Sequence, residues 1–403
     1  MKPLLLLLTN QFPLATAKAE NWLYDELGHT HTYFEKVIIV PDGAKEACNT
    51  LPINCQIFFY DDLPDVKLSA NEILNSFRIV LSDFSAYPKK SSYFKHFRYN
   101  FSLVRQLHLK AKRIAQKQEW FCNPIIIYPY WADNLCTTAS LVKQRYHNRI
   151  KIVTRGHGYE IFEDQTLNKV IPFRLFQYRF IDIIFADSKR GCDHLMSKKE
   201  NETFKHKNKY AYVGTRDFGF GAWQPDSEFT IATCSFVRNV KRLDLMPDIL
   251  KHIPFPLTWH VLGGGDDLEK LKGLTRSLPS NIKVIFHGEL SNEAILKFYT
   301  HHSINLLVSL SSSEGLPVTM MEAQSFGIPI MSTDVGGCSE ICHDATGFLI
   351  NKDFDPEEVA NKMVAFKNSS KNSEIFRLQC RRHWEENFNA ETNYTNFARL
   401  LLN

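Results

Sequence analysis

The chain has 403 residues, 44% of them hydrophobic, with a formal net charge of +4. That length is long for one core and suits two domains of about 200 residues each. The composition is that of a globular protein, and no apolar run is long enough for a bilayer-spanning helix.

The opening MKPLLLLLTNQFP holds five leucines closed by Thr9, Asn10 and Gln11, which is short for the apolar core of a signal peptide. It reads instead as a first buried strand, 4–8. Further strands are expected at 36–40, 56–60, 125–128, 150–154, 181–186 and 210–213, with helix-length segments such as 135–146 between them. Strands alternating with helices predict a parallel α/β sheet. Within this half, residues 89–118 hold nine Lys or Arg and no acid, interleaved with Tyr93, Phe94, Phe97, Tyr99 and Phe101. Such a segment suits an anionic membrane surface, or forms a solvated helix face. No nucleic-acid recognition motif accompanies it.

Residues 217–228, rich in Gly and Pro, read as a linker between a first domain, 1–216, and a second, 229–385. The strand and helix alternation then restarts: strands at 229–234, 257–262, 282–286 and 304–308, helices at 243–251, 267–276 and 292–300. Gly263-Gly264-Gly265 follows a strand, but Leu268 stands where a dinucleotide fingerprint needs its third glycine, so a tight turn is expected. The last 30 residues read as helix.

Nine scattered cysteines, odd in number and without a C-x-x-C pair, fit a reducing cytoplasm. Cys338, Cys342 and His343, like His29 and His31, lack a second ligand pair at zinc spacing, so no metal is expected. The first 220 residues carry +9 and the remainder −5, so the halves face different electrostatic tasks.

The segment SSSEGLPVTMMEAQSFGIPIMSTDVGG, after the 304–308 strand, is the most informative. Glu314 is expected in the loop leaving the strand and Glu322 inside the following helix, with Pro317 at the first helical position. A helix N-terminus beside two carboxylates suits a ligand that is anionic at one point and rich in hydroxyls elsewhere, as a nucleotide sugar is.

This segment resembles the E-x7-E region of family-4 retaining glycosyltransferases of the bacterial capsular and surface-polysaccharide branch. The resemblance implies an α/β GT-B fold of two Rossmann-like domains facing a cleft, with the tail, 386–403, returning to the first domain. It implies that Glu314 contacts a hydroxyl of the donor sugar and that Glu322 holds the ribose. Gly315, Leu316, Pro317 and Val318 would form the donor-binding turn. Lys241 matches the family's diphosphate-binding lysine. The usual arginine position holds Phe236, which leaves Arg238 or Arg242 as second cation. The loop VTRGHGYEIFED resembles the family's histidine loop, which gives His157 a catalytic place and puts Glu160 where an Asp is usual. Tyr130 and Trp131 lie on the same edge, as in related polysaccharide-building enzymes, where they stack on sugar or simply pack. The first loop has Ala15, Ala17 and Ala19 in place of glycines, with Glu20 as an acceptor-side candidate.

Transfer from a nucleotide-sugar donor to a glycan or lipid-linked acceptor is thereby implied. It would take place at the inner face of the cytoplasmic membrane, with no cofactor, metal or nucleic acid. An epimerase or hydrolase of the same fold, or a non-catalytic binding subunit, are the alternatives.

Overall fold

The computed structural model describes residues 2–14, 20, 22–43, 48, 50–87, 90–146, 149–166, 169–225 and 228–403. Ala15, Ala17, Ala19 and Lys89 lie outside them. The chain divides into two compact units, Met1–Tyr212 with Asn393–Asn403, and Val213–Thr392.

The first unit is built on parallel strands β1 (Leu4–Thr9), β2 (Lys36–Pro41), β3 (Cys55–Ile57), β4 (Ile125–Pro129), β5 (Ile150–Gly156), β6 (Ile183–Ala186) and β7 (Asn208–Tyr210). They lie in the order β3-β2-β1-β4-β5-β6-β7 among the described residues. The leucine run of β1 is central, with Leu6 paired to Ile38 on one side and to Ile127 on the other. Leu5 to Leu8 are buried whichever way they point, as in a strand covered on both faces.

The second unit repeats the plan with β8 (Phe229–Cys234), β9 (Leu257–Leu262), β10 (Ile282–Gly288), β11 (Leu306–Ser309), β12 (Ile330–Thr333) and β13 (Gly347–Ile350). These are parallel in the order β10-β9-β8-β11-β12-β13. Each sheet winds outward in both directions from its first strand. The loops that diverge at that reversal, after β1 and β4 and after β8 and β11, leave a crevice at the carboxyl ends where ligands settle in such sheets.

Three expectations need correction. The strand expected at 56–60 is shorter, and Tyr60 already lies in a 3-10 turn; the last strand of the first sheet runs over Asn208–Tyr210 rather than 210–213. Both are edge strands, whose limits depend on a single neighbour. The helical tail is two helices, Glu374–Asn387 and Ala390–Leu402. Phe388 leaves helical geometry, and Asn389 Oδ1 accepts from the Thr392 amide to start the second.

Candidate functional site

The site in the second unit grows from the ends of β8 and β11. After β8 the chain turns back on Gly263-Gly264-Gly265, where the Val237 amide donates to the Gly264 carbonyl at 2.8 Å. Gly263 and Gly265 have φ of +145° and +148°, and a side chain there would run into the backbones of Ser235 and Val237. The three glycines thus form a tight turn against a second loop.

That second loop carries Lys241. After β11, the Ser312 amide donates to the Val240 carbonyl at 2.8 Å and Thr333 Oγ1 to the Ser311 carbonyl at 2.6 Å, which fixes the two loops together. Glu314 Oε1 accepts from Lys241 Nζ and from Ser311 Oγ, both at 2.5 Å. The two residues expected at sugar and diphosphate are therefore an ion pair, and Ser311 is a third member that sequence reading missed.

The DVGG turn backs this loop. Gly337 N–H donates to the Gly315 carbonyl at 2.7 Å, while Gly336, at φ +51°, leaves no room for a Cβ beside the Glu314 carbonyl. The helix spans Val318–Ser325, so Pro317 is its cap residue rather than its first helical residue. Its ψ of 109° keeps it extended. Leu316 and Pro317 are buried and shape the turn, whereas Gly315 and Val318 are half-buried.

Glu322, 8% exposed, accepts from Asn292 Nδ2 at 2.5 Å. Asn292 opens the Asn292–His301 helix behind its cap Ser291. Nothing in the motif marks it, since it lies 30 residues away. His287, near the end of β10, holds Nε2 at 2.9 Å from His260 Nδ1 and packs on Phe298.

The two candidates for second cation differ. Arg242 donates through Nε to the Leu310 carbonyl and through Nη1 to the Lys352 carbonyl, at 2.7 and 2.9 Å. Its guanidinium is engaged in loop anchoring, which argues against the phosphate role expected of it. Arg238 is exposed, with its guanidinium 5.3 Å from the Phe236 ring centroid.

In the first unit, the exits of β1, β4 and β5 converge. The half-buried His157 has its ring 4.9 Å from those of both Tyr130 and Trp131. Burial, with the charge of Arg155, pushes His157 down to about 3, so the imidazole is neutral at pH 7. Its Nε2 is buried without a hydrogen-bond partner. Glu160 folds back beneath the loop, accepting from the amides of Gly158 at 3.0 Å and His157 at 3.4 Å. Burial pushes Glu160 up to about 8, keeping it protonated at neutral pH.

Two acceptor-side candidates are buried. Glu20 is 1% exposed and accepts from the amides of Asn10, Gln11 and Phe12 and from the Trp131 indole. Its carboxylate ties down the first loop and offers nothing to an acceptor. Tyr130 is fully buried, with its hydroxyl accepting from the Trp22 indole, so it packs rather than stacks on sugar. Trp131 is half-buried, and its ring lies 6.1 Å from that of the exposed Tyr159. Among the described residues, no group of three His, Cys, Asp or Glu is arranged to hold a metal.

Two doubly wound units, one presenting paired carboxylate and lysine at its reversal point, define the class of GT-B proteins. Residues 222–383, inside the second unit, match the family described as "Glycosyl transferases group 1". It is similar to the O-antigen biosynthesis glycosyltransferase WbnH of Escherichia coli, at 33% identity over 128 residues, 29% of this chain and 35% of the relative. It is also similar to the N-acetyl-alpha-D-glucosaminyl L-malate synthase of Bacillus anthracis, at 27% identity over 60% of this chain and 64% of the relative. The match thus spans about a third of the length of the first of these relatives. Among solved structures, Anabaena Alr3699/HepE in complex with UDP covers 99% of both chains, with a TM-score of 0.70 at 14% identity. That likeness shows the fold.

Proposed function

We propose that the chain is a retaining, family-4-type glycosyltransferase that moves a sugar from a nucleotide-sugar donor to an acceptor hydroxyl. The acceptor is a lipid-linked glycan in surface polysaccharide assembly, O-antigen or capsule, so the reaction takes place at the inner face of the cytoplasmic membrane. The observation that carries this reading is the Lys241–Glu314 pair, with Ser311, at the strand reversal of a group 1 domain. The O-antigen relative supports the pathway, and the UDP complex of the structural neighbour supports the donor class.

In this reading the acceptor oxygen bonds to the anomeric carbon as the bond from that carbon to the diphosphate oxygen breaks. The acceptor's proton passes to the departing phosphate oxygen, and the new bond forms on the face the diphosphate leaves. Lys241, the exposed Arg238 and the amides of Gly315 and Val318 stabilise the charge that grows on the diphosphate, more than they do the ground state. Glu322 accepts from the ribose hydroxyls and Glu314 from a hydroxyl of the sugar. His157, being neutral, takes part as a hydrogen-bond partner of the sugar rather than as a cation.

The test is incubation of the purified protein with a panel of nucleotide sugars, with and without extracted lipid-linked glycan. Nucleoside diphosphate, free sugar and product are measured, and the product's anomeric configuration is read by NMR. Transfer with retention that requires the acceptor is the expected result. Free sugar without acceptor would indicate a hydrolase, an altered nucleotide sugar an epimerase, and binding without turnover a non-catalytic subunit.

A further inference from the structure

The Ala70–Ser82 helix buries Ser76, Ile79 and Val80. An adjoining arc turned toward solvent is apolar as well: Ile73, Leu74, Phe77 and Leu81 are 37%, 46%, 39% and 46% exposed. At about 100° of rotation per residue these four fall within one arc of about 100°, with Arg78 at its border. A helix at the surface of a globular protein presents a polar face there. A contiguous apolar patch rimmed by charge marks an interaction site.

The patch continues onto the Lys90–Gln116 helix. Phe77 packs against Phe97 and Phe101, with ring centroids 5.7 and 6.1 Å apart. Beside them Phe94 is 67% exposed. Lys95, Arg98 and Arg105 are exposed on the same side of that helix.

Four of the other cations of residues 89–118 divide differently from what the sequence suggested. Lys110 pairs with Asp42, Lys112 with Glu72, Arg113 with Asp65 and Lys117 with Glu119. The basic character of this segment is therefore cancelled toward its C-terminal end and retained beside the exposed aromatics. The acids between positions 70 and 116 are Glu72, engaged by Lys112, and Asp83, buried against the Phe173 amide.

We propose that this face of the first unit, the outward arc of the Ala70–Ser82 helix with the N-terminal half of the Lys90–Gln116 helix, docks on an anionic lipid bilayer. Apolar side chains bordered by Arg78, Lys95, Arg98 and Arg105 match both layers of such a surface, the acyl boundary and the phosphate headgroups. Vesicle binding is measured without donor or turnover, so its outcome is independent of the catalytic reading.

The experiment is co-sedimentation of the full chain with phosphatidylcholine vesicles, with and without phosphatidylglycerol, at low salt and at about 1 M salt, where screening is within about 3 Å. Three variants accompany it: Leu74→Ser with Phe94→Ser, Lys95→Gln with Arg98→Gln, and Lys117→Gln, each checked for native circular dichroism and melting. Binding should require phosphatidylglycerol and fall about fivefold for each cation removed at positions 95 and 98. The remnant at high salt should vanish in the Leu74/Phe94 variant, and Lys117→Gln should bind as the parent does. Equal binding to both vesicles, no binding, or folded variants that bind undiminished would overturn the proposal. So would concentration-dependent self-association, seen by ultracentrifugation and abolished by Leu74→Ser with Phe94→Ser, because the face would then belong to a second copy of this chain.

Discussion

Residue by residue, the segment after β11 was the legible one. Glu314 and Glu322 stand in one motif whose strand, loop and helix are local, so their placement follows from chain direction alone, whereas the pairing of Glu314 with Lys241, which stands in the loop after β8, does not. Partners from distant segments were not legible: Asn292 on Glu322, and the amides of residues 10–12 on Glu20, which look in sequence like any other loop residues. Glu322→Ala should weaken nucleoside diphosphate binding by about 1.5–3 kcal/mol, the worth of hydrogen bonds to a charged acceptor. Calorimetry giving equal affinities in a folded mutant would remove Glu322 from the ribose. Lys241→Ala should lower kcat more than donor affinity, because the charge it meets grows in the transition state; a raised KM with unchanged kcat would make Lys241 a ground-state anchor. The histidine loop adds a dependence on pH. His157, at about 3 when folded against about 6.5 unfolded, binds fewer protons in the native state, so stability is lost as pH falls through that window. Glu160, at about 8 folded against about 4.5 unfolded, keeps its proton while the unfolded chain releases it, so stability falls as pH rises from 4.5 to 8. Glu160→Gln keeps an acceptor for the two loop amides and removes that second slope. Its melting temperature should exceed the parent's at pH 8 and equal it at pH 4; parallel melting curves across that range would show that Glu160 is ionised in the fold.

At the scale of elements, the central strands were readable because a strand buried on both faces is a continuous apolar run, as in LLLLLT of β1 and IIIYP of β4. The edge strands β3 and β7 were not, since pairing rather than composition sets where they stop. The break in the tail carried a signal, Asn389 ahead of Ala390 and Glu391, which amphipathic periodicity alone passes over. The Glu314 loop takes its shape from another element, the turn after β12. Gly336 at φ +51° would place a Cβ 1.9 Å from the Glu314 carbonyl oxygen, and that oxygen belongs to backbone that cannot swing aside. Gly336→Ala should therefore cost about 1–3 kcal/mol from the left-handed conformation and from displacement of the loop. Because the Lys241–Glu314 pair moves with that loop, nucleotide-sugar turnover should fall further than stability does. A mutant of parental melting temperature and activity would show that the turn does not set the loop.

Across the whole molecule, the segment Asn393–Asn403 belongs to the first unit although it follows the second in the chain, and the reason lies at Arg155. This arginine, on β5, is fully buried and donates through Nη1 to Glu26 at 3.1 Å, while its Nε and Nη2 have no hydrogen-bond partner. The Phe397 ring covers it, centroid 3.8 Å from Cζ, and packs on Tyr128 and Phe185 as well. A desolvated guanidinium over an aromatic face gains about 2 kcal/mol or more, and losing a buried Phe to Ala costs about 3–5 kcal/mol on its own. Phe397→Ala should thus destabilise the first unit sharply. Phe397→Leu should restore the packing but not the ring under the cation, and so fall between. A melting temperature reports on the chain as a whole and does not say which of the two units has opened. Hydrogen exchange resolves the units: protection should drop in β4 and β5 and persist in β11 and β12, with nucleoside diphosphate binding retained. Uniform loss of protection across both sheets would show that the units unfold as one, and unchanged protection in β5 would mean that the final helix does not secure the buried arginine.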